Sequence, residues 1–180
     1  MNITYEKTSY KGVGLLNEDA VIFRPQANLY GVVDGVSSLV PYRNAKEETG
    51  GFIAANLVKT HFESFSVPDS RTLLDRMVEA NDRLREQMVL EQIDLEKKAE
   101  LWGAAAAVVR VQADGVAFIQ TGDCMILAVY DDEVRPLTRR QVSQLEAPAF
   151  AMWQEGVTGG LKTQKELHDT VIDTARADRA

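Results

Sequence analysis

Three short stretches carry the residues that could do chemistry: Asn17-Glu18-Asp19, Asp34-Gly35 and Gly122-Asp123-Cys124. Carboxylates that converge can hold a divalent cation through hard oxygen donors or move protons. Asp34 ends an apolar run, LYGVV at 29–33, which reads as a buried strand. Gly35 lets the backbone turn sharply there, or lets a ligand approach its carbonyl. On its own the Asp-Gly pair reads first as a turn, since that dipeptide is a common turn former. The neighbouring residues change the weighting. Residues 20–23 read as a short strand that starts at the Asn17-Glu18-Asp19 triplet, and 25–28 turn the chain into the strand at 29–33. If these two strands pair as an antiparallel hairpin, the start of one lies beside the end of the other. Glu18, Asp19 and Asp34 then share one edge of a sheet.

The elements that would hold those acids follow from periodicity. Residues 3–9 read as a first strand and 10–14 as a loop. Residues 44–65 read as a helix with Asn44 as cap, in which Gly50-Gly51 either weakens the helix or marks a close packing point. Val67-Pro68-Asp69 is a break, and Ser70 caps a second, long helix. Leu73, Met77, Ala80, Leu84 and Met88 recur on one face of it. Asp75, Arg76, Asp82, Arg83, Arg85 and Glu86 read as its solvated face. The glycine- and alanine-rich run at 103–111 has helical propensity. Its valines, its flanking glycine and the following Asp114-Gly115 turn make it a strand, packed tightly under a helix. Residues 116–120 return, 121–124 break the strand, and 125–130 with 134–137 form a further hairpin. Two helices followed by three strands predict an α+β fold of layered helices and antiparallel sheet. Beyond Thr138 the stretch punctuated by Pro148, Gly156, Gly159 and Gly160 reads as loop, and 161–180 as a polar helix. No repeat appears.

A chain of 180 residues with 45% hydrophobic and 26% charged residues reads as one globular domain. Its net charge of −7 and the absence of a long basic run argue against nucleic acid or an anionic membrane as partner. Cys124 is the single cysteine, so no internal disulfide forms. The N-terminal residues form no signal peptide, and no run reaches the roughly 18 apolar residues of a membrane helix. A cytoplasmic location is the expectation.

Together, Asn17-Glu18-Asp19-Ala20, Val32-Val33-Asp34-Gly35 and Thr121-Gly122-Asp123-Cys124 leading to Arg135-Pro136-Leu137-Thr138 resemble motifs of the metal-dependent protein phosphatases of type 2C, the PPM family. The small-residue run at 103–111 also resembles that family's strand before its glycine-aspartate motif. The resemblance spans about residues 1–140. It implies a layered α-β-β-α sandwich of two antiparallel sheets flanked by helix pairs, incomplete here at the C-terminal end. It further implies two Mn2+ or Mg2+ ions per complete site and a metal-activated water that attacks the phosphoryl group of a phosphoserine or phosphothreonine protein. Carried over by residue, Asp34 resembles the carboxylate bridging the metals. Glu18 and the Gly35 carbonyl resemble ligands of the second metal. Asp19 resembles the carboxylate that orients a metal-bound water. Asp123 resembles the contributor to an additional metal, with a turn-capping role as its plain alternative.

The departures are as specific. Where many members carry a phosphate-clamping arginine four residues before the glutamate, this chain has Gly14, and Lys11 is the nearby cation that would replace it. Val36 stands where members often have histidine. His61 and His168 read as packing or surface histidines, and Cys124 as a packed small residue. The family's distal aspartate motifs have no counterpart after Thr138. Open sheet edges would then invite pairing into a homodimer. A non-catalytic, phosphatase-like module that senses or binds a partner is therefore the alternative to a hydrolase, and a small α/β domain whose acids are all turn residues is the third reading.

Overall fold

The structure, a computed structural model, describes residues 4–65, 70–141 and 143–177. The chain divides into two compact units, 1–138 and 139–180. In the first, β1 (Asp19–Arg24), β2 (Leu29–Val36), β3 (Gly103–Gln112) and β4 (Gly115–Thr121) form an antiparallel sheet in that order. The turn Pro25–Ala27 joins β1 to β2 and closes on Asn28 in the left-handed region, φ 49°. Asparagine tolerates that conformation at little cost. A two-stranded antiparallel ribbon, β5 (Leu127–Val129) with β6 (Val134–Pro136), follows.

Helix α1 (Gly50–Glu63) and helix α2 (Leu73–Leu90) belong to the same unit. Alternate residues of β1 to β3, namely Ile22, Leu29, Val33, Ala106 and Val108, meet Ala55, Val58 and Phe62 of α1 in the main core. Burying one such large side chain contributes about 1.5–3 kcal/mol. Small residues on β3 let the helix approach the sheet, as the alanine run predicts. A smaller cluster of Ala54, Leu84, Met88 and Trp102 ties α1 to α2, and Tyr42 stacks on Trp102.

Several expectations shift. Residues 4–9 form no strand. Helix α1 begins later than Asn44, because Asn44 Oδ1 accepts from the Lys46 and Glu48 amides and spends its capping capacity on a local turn. Thr49 is the cap, with the Phe52 amide on its hydroxyl, so Gly50 and Gly51 open the helix. Thr72, not Ser70, caps α2, in a reciprocal capping box with Asp75. The Val67-Pro68-Asp69 break lies outside the described residues. Arg76, expected on the solvated face, is buried: its guanidinium lies 3.5 Å from the Phe65 ring centroid and pairs with Glu79 at 3.0 Å.

In the second unit the stretch read as loop is helical, and the helix expected within 161–180 is present. Helix α3 (Ser143–Thr158) contains Pro148, and helix α4 (Gln164–Ala177) packs on it. Gly156 is a contact point rather than a break. A Cβ there would meet Leu167 Cδ2 at 2.9 Å and Leu161 Cδ1 at 3.1 Å.

Candidate functional site

The sheet register assembles the acids. Asp19 of β1 sits directly opposite Asp34 of β2, and Asp34 opposite Ala105 of β3. One pair along, Ala106 faces Thr121, the last residue of β4. The chain then turns through Gly122 with φ 67°, where a Cβ would fall 2.5 Å from Ala105 Cβ. That turn must be glycine, for conformation and for space. It folds over β3 beside Asp34 and carries Asp123 and Cys124 with it.

Electrostatics records the convergence. Partial desolvation against the sheet holds the Asp34 carboxyl above its ordinary range, and the charges of Asp19, Asp123 and Glu18 add to that. Asp34 remains exposed by surface area, so the shift carries no large stability effect. The Cys124 thiol lies against the Asp34 backbone and is pushed up to about 11, first by burial and then by Asp34 and Asp123. It is a neutral thiol near pH 7 and a poor nucleophile.

Glu18 is used differently. Ser37 Oγ donates to both of its carboxylate oxygens, at 3.1 and 3.0 Å, and Thr49 Oγ1 donates to Oε1 at 2.5 Å. Ser37 Oγ in turn accepts from the Gly51 amide at 3.1 Å. A carboxylate next to the first turn of α1 also complements the helix dipole. Gly35 and Gly51 make this approach feasible. A Cβ on Gly35 would stand 2.1 Å from Gly51 O, and one on Gly51 would stand 2.4 Å from Glu18 Oε2. The Gly35 carbonyl is also close to Gly51, 2.9 Å from where that Cβ would be. The result is a tight seam between the end of β2 and the start of α1.

Of the residues singled out by sequence, Asp19, Asp34 and Asp123 come together, with Glu18 beside them on the α1 seam. Lys11 lies on an exposed loop, its Nζ 3.4 Å from the Leu15 carbonyl, and no described contact joins it to the acids. Sequence reasoning passed over Ser37 and Thr49, and took Gly51 as a helix weak point or a close packing point, of which the structure shows the second. The Thr-Gly-Gly order at 49–51 was the available signal: a cap followed by two residues without side chains.

The donor set suits Mn2+ or Mg2+. Aspartate oxygens are hard ligands, and a cation would relieve the repulsion that adds to the rise of Asp34. Among the described residues no three His, Cys, Asp or Glu side chains stand ready to hold an ion unaided. Asp19, Asp34 and Asp123 would therefore supply part of a shell that water or further groups complete.

No family model and no curated protein matches the sequence. Solved structures do match its fold. PppA, a regulatory component of the T6SS of Pseudomonas aeruginosa, aligns at 18% identity over 77% of this chain and 58% of its own, TM-score 0.57. The Mycobacterium tuberculosis serine/threonine phosphatase PstP/Ppp aligns at 18% identity over 91% of this chain and 61% of its own, TM-score 0.55. The catalytic domain of the phosphatase PstP, in complex with two manganese ions, aligns at 20% identity over 90% of this chain and 62% of its own, TM-score 0.54. The chain thus has the α+β fold seen in serine/threonine phosphatases and spans about three-fifths of the length of those neighbours.

Proposed function

We propose that this chain carries the acidic half of a Mn2+- or Mg2+-dependent phosphoserine/phosphothreonine protein phosphatase site. The observation that supports this most is the meeting of Asp19, Asp34 and Asp123 at one sheet edge, in a fold shared with serine/threonine phosphatases. Bound divalent ions supply an acidified water and neutralise charge on the phosphoryl oxygens. Asp34, central in the cluster and held within the ladder of β2 two residues before its end, would be the principal cation ligand, and Asp123 would add a second carboxylate. Asp19, opposite Asp34 in the register, would accept a hydrogen bond and orient the water that such ions supply. The Glu18 carboxylate, held by Ser37 and Thr49, fixes the α1 seam behind the site and adds negative potential. Neutral Cys124 packs beneath Asp34 and takes no covalent part. The substrate is a phosphorylated protein met in the cytoplasm. Self-association through the outer edges of β1 or β4, which pair with no other described strand, belongs to the same proposal.

One observation favours a second reading, a phosphatase-like module that binds without hydrolysing. The Glu18 carboxylate is already occupied by two hydroxyl donors. Mn2+-dependent phosphate release from p-nitrophenyl phosphate and a phosphothreonine peptide separates the two. The hydrolase reading expects activity that falls at least about a hundredfold in Asp34→Asn, in line with loss of a metal-site group. Calorimetry that detects no Mn2+ binding to the wild-type chain, with no turnover, leaves the binding module.

A further inference from the structure

A cavity of about 560 Å3 lies on the helix side of the sheet, away from the acidic cluster, and its size falls within the roughly 300–1,000 Å3 of small-ligand sites. It exists because of a mismatch in side-chain size. Helix α1 covers β1 to β3 closely, whereas the floor under α2 is built from Gly103, Ala104 and Thr121. The opposite wall consists of Met77, Leu84 and Met88 of α2, and Trp102 closes one end. Methionines and a broad indole make a wall that adapts to an apolar guest.

The polar groups are few and sit together. Asn81 and Arg85, four residues apart and hence on one face of α2, both line the opening. Among the described residues that line it, Arg85 carries the only charge and no carboxylate is present. In a chain of net charge −7, an exposed arginine at the rim of an apolar cavity offers an anion a contact.

We propose that this cavity binds a small amphiphilic carboxylate, a medium-chain or aromatic acid, with its apolar body between α2 and β3–β4 and its carboxylate on Arg85 and Asn81. Thr121 ends β4 two residues before Asp123, so an occupant touches the strand that carries the acidic turn. The proposal stands apart from the phosphatase reading, and its test does not involve catalysis.

The test titrates decanoate, below its micelle concentration, into a Trp153→Phe background, in which Trp102 is the only tryptophan. Saturable change in Trp102 emission is expected, with decanol binding about tenfold more weakly for loss of one charged contact. Arg85→Glu, at an exposed position that leaves the core untouched, is expected to weaken decanoate at least about tenfold. Ala104→Leu, which fills the floor, is expected to abolish binding while circular dichroism stays native. Absence of saturation, equal affinity for decanol, or unchanged affinity in Arg85→Glu would each overturn the assignment. Because the last comparison does not rely on the filled variant, a failure of Ala104→Leu to fold does not shield the idea.

Discussion

The two faces of the four-stranded sheet are made by the same strands and have different fates. On the α1 side, Ile22, Leu29, Val33 and Val108 are at most 2% exposed. On the other side, Val32, Val116 and Phe118 are 46%, 52% and 43% exposed, although they are equally apolar. A sheet with one solvated face alternates apolar with polar residues. This one is apolar on both, the composition of a sheet with a layer on each side. Tyr5, Phe23 and Tyr30 cluster on the open side, and with Val21, Met125 and Leu127 they line a cavity of about 410 Å3. Burial is therefore set by what the chain brings to a face, not by the hydrophobicity of that face.

The largest test of this contrast is on the covered side. Phe62→Ala removes a fully buried ring and is expected to cost about 3–5 kcal/mol in urea denaturation, as large-to-small core changes do. Next comes the seam that seats α1. Gly35→Ala drives a methyl to 2.1 Å from the Gly51 carbonyl oxygen, where backbone must give way, and an expected loss of about 1–3 kcal/mol follows. A cost near zero for Gly35→Ala would mean that α1 does not dock on β2 this closely.

His61 tests the same helix through pH. Burial depresses its pKa below the ordinary value, Arg83 and Arg76 add to that, and Glu79, 3.5 Å from Nε2, opposes it. The folded state therefore binds the proton less readily than the unfolded one. Stability is full above about pH 6.5 and falls as pH drops from there toward the depressed folded value. The thermal midpoint of the wild type should decline between pH 7 and 5 more steeply than that of His61→Gln. Parallel profiles would exclude the buried neutral imidazole. The smallest effect belongs to the open face: Val32→Thr should change stability by less than about 0.5 kcal/mol. A cost comparable to that of Phe62→Ala would show that something covers Val32 in solution, and the contrast between the faces would disappear.

Much of this was readable in one dimension. Periodicity located β1 to β4 and the buried stripe of α2, because each is a long, regular pattern. The misreadings share a cause. Asn44 looks like a cap but serves a turn. Arg76 looks solvated but lies over Phe65. Pro148 and Gly156 look like breakers but sit within α3, where Gly156 gives Leu161 and Leu167 room to approach. In each case a side chain's partner lies outside its own segment, and no local pattern encodes it.

The amino-acid order by itself determined that an aspartate would stand near the end of an apolar strand with another beside it on a hairpin, since a four-residue connection leaves few registers. Only the tertiary structure decided how Asp123, nearly ninety positions away, comes beside them, and that Ser37 and Thr49 would donate to Glu18. Those outcomes depend on a ladder of three pairings and on two glycines that let a helix touch a strand. Long-range register and close backbone approach are properties of the packed chain, and they settle which of several available partners each carboxylate meets.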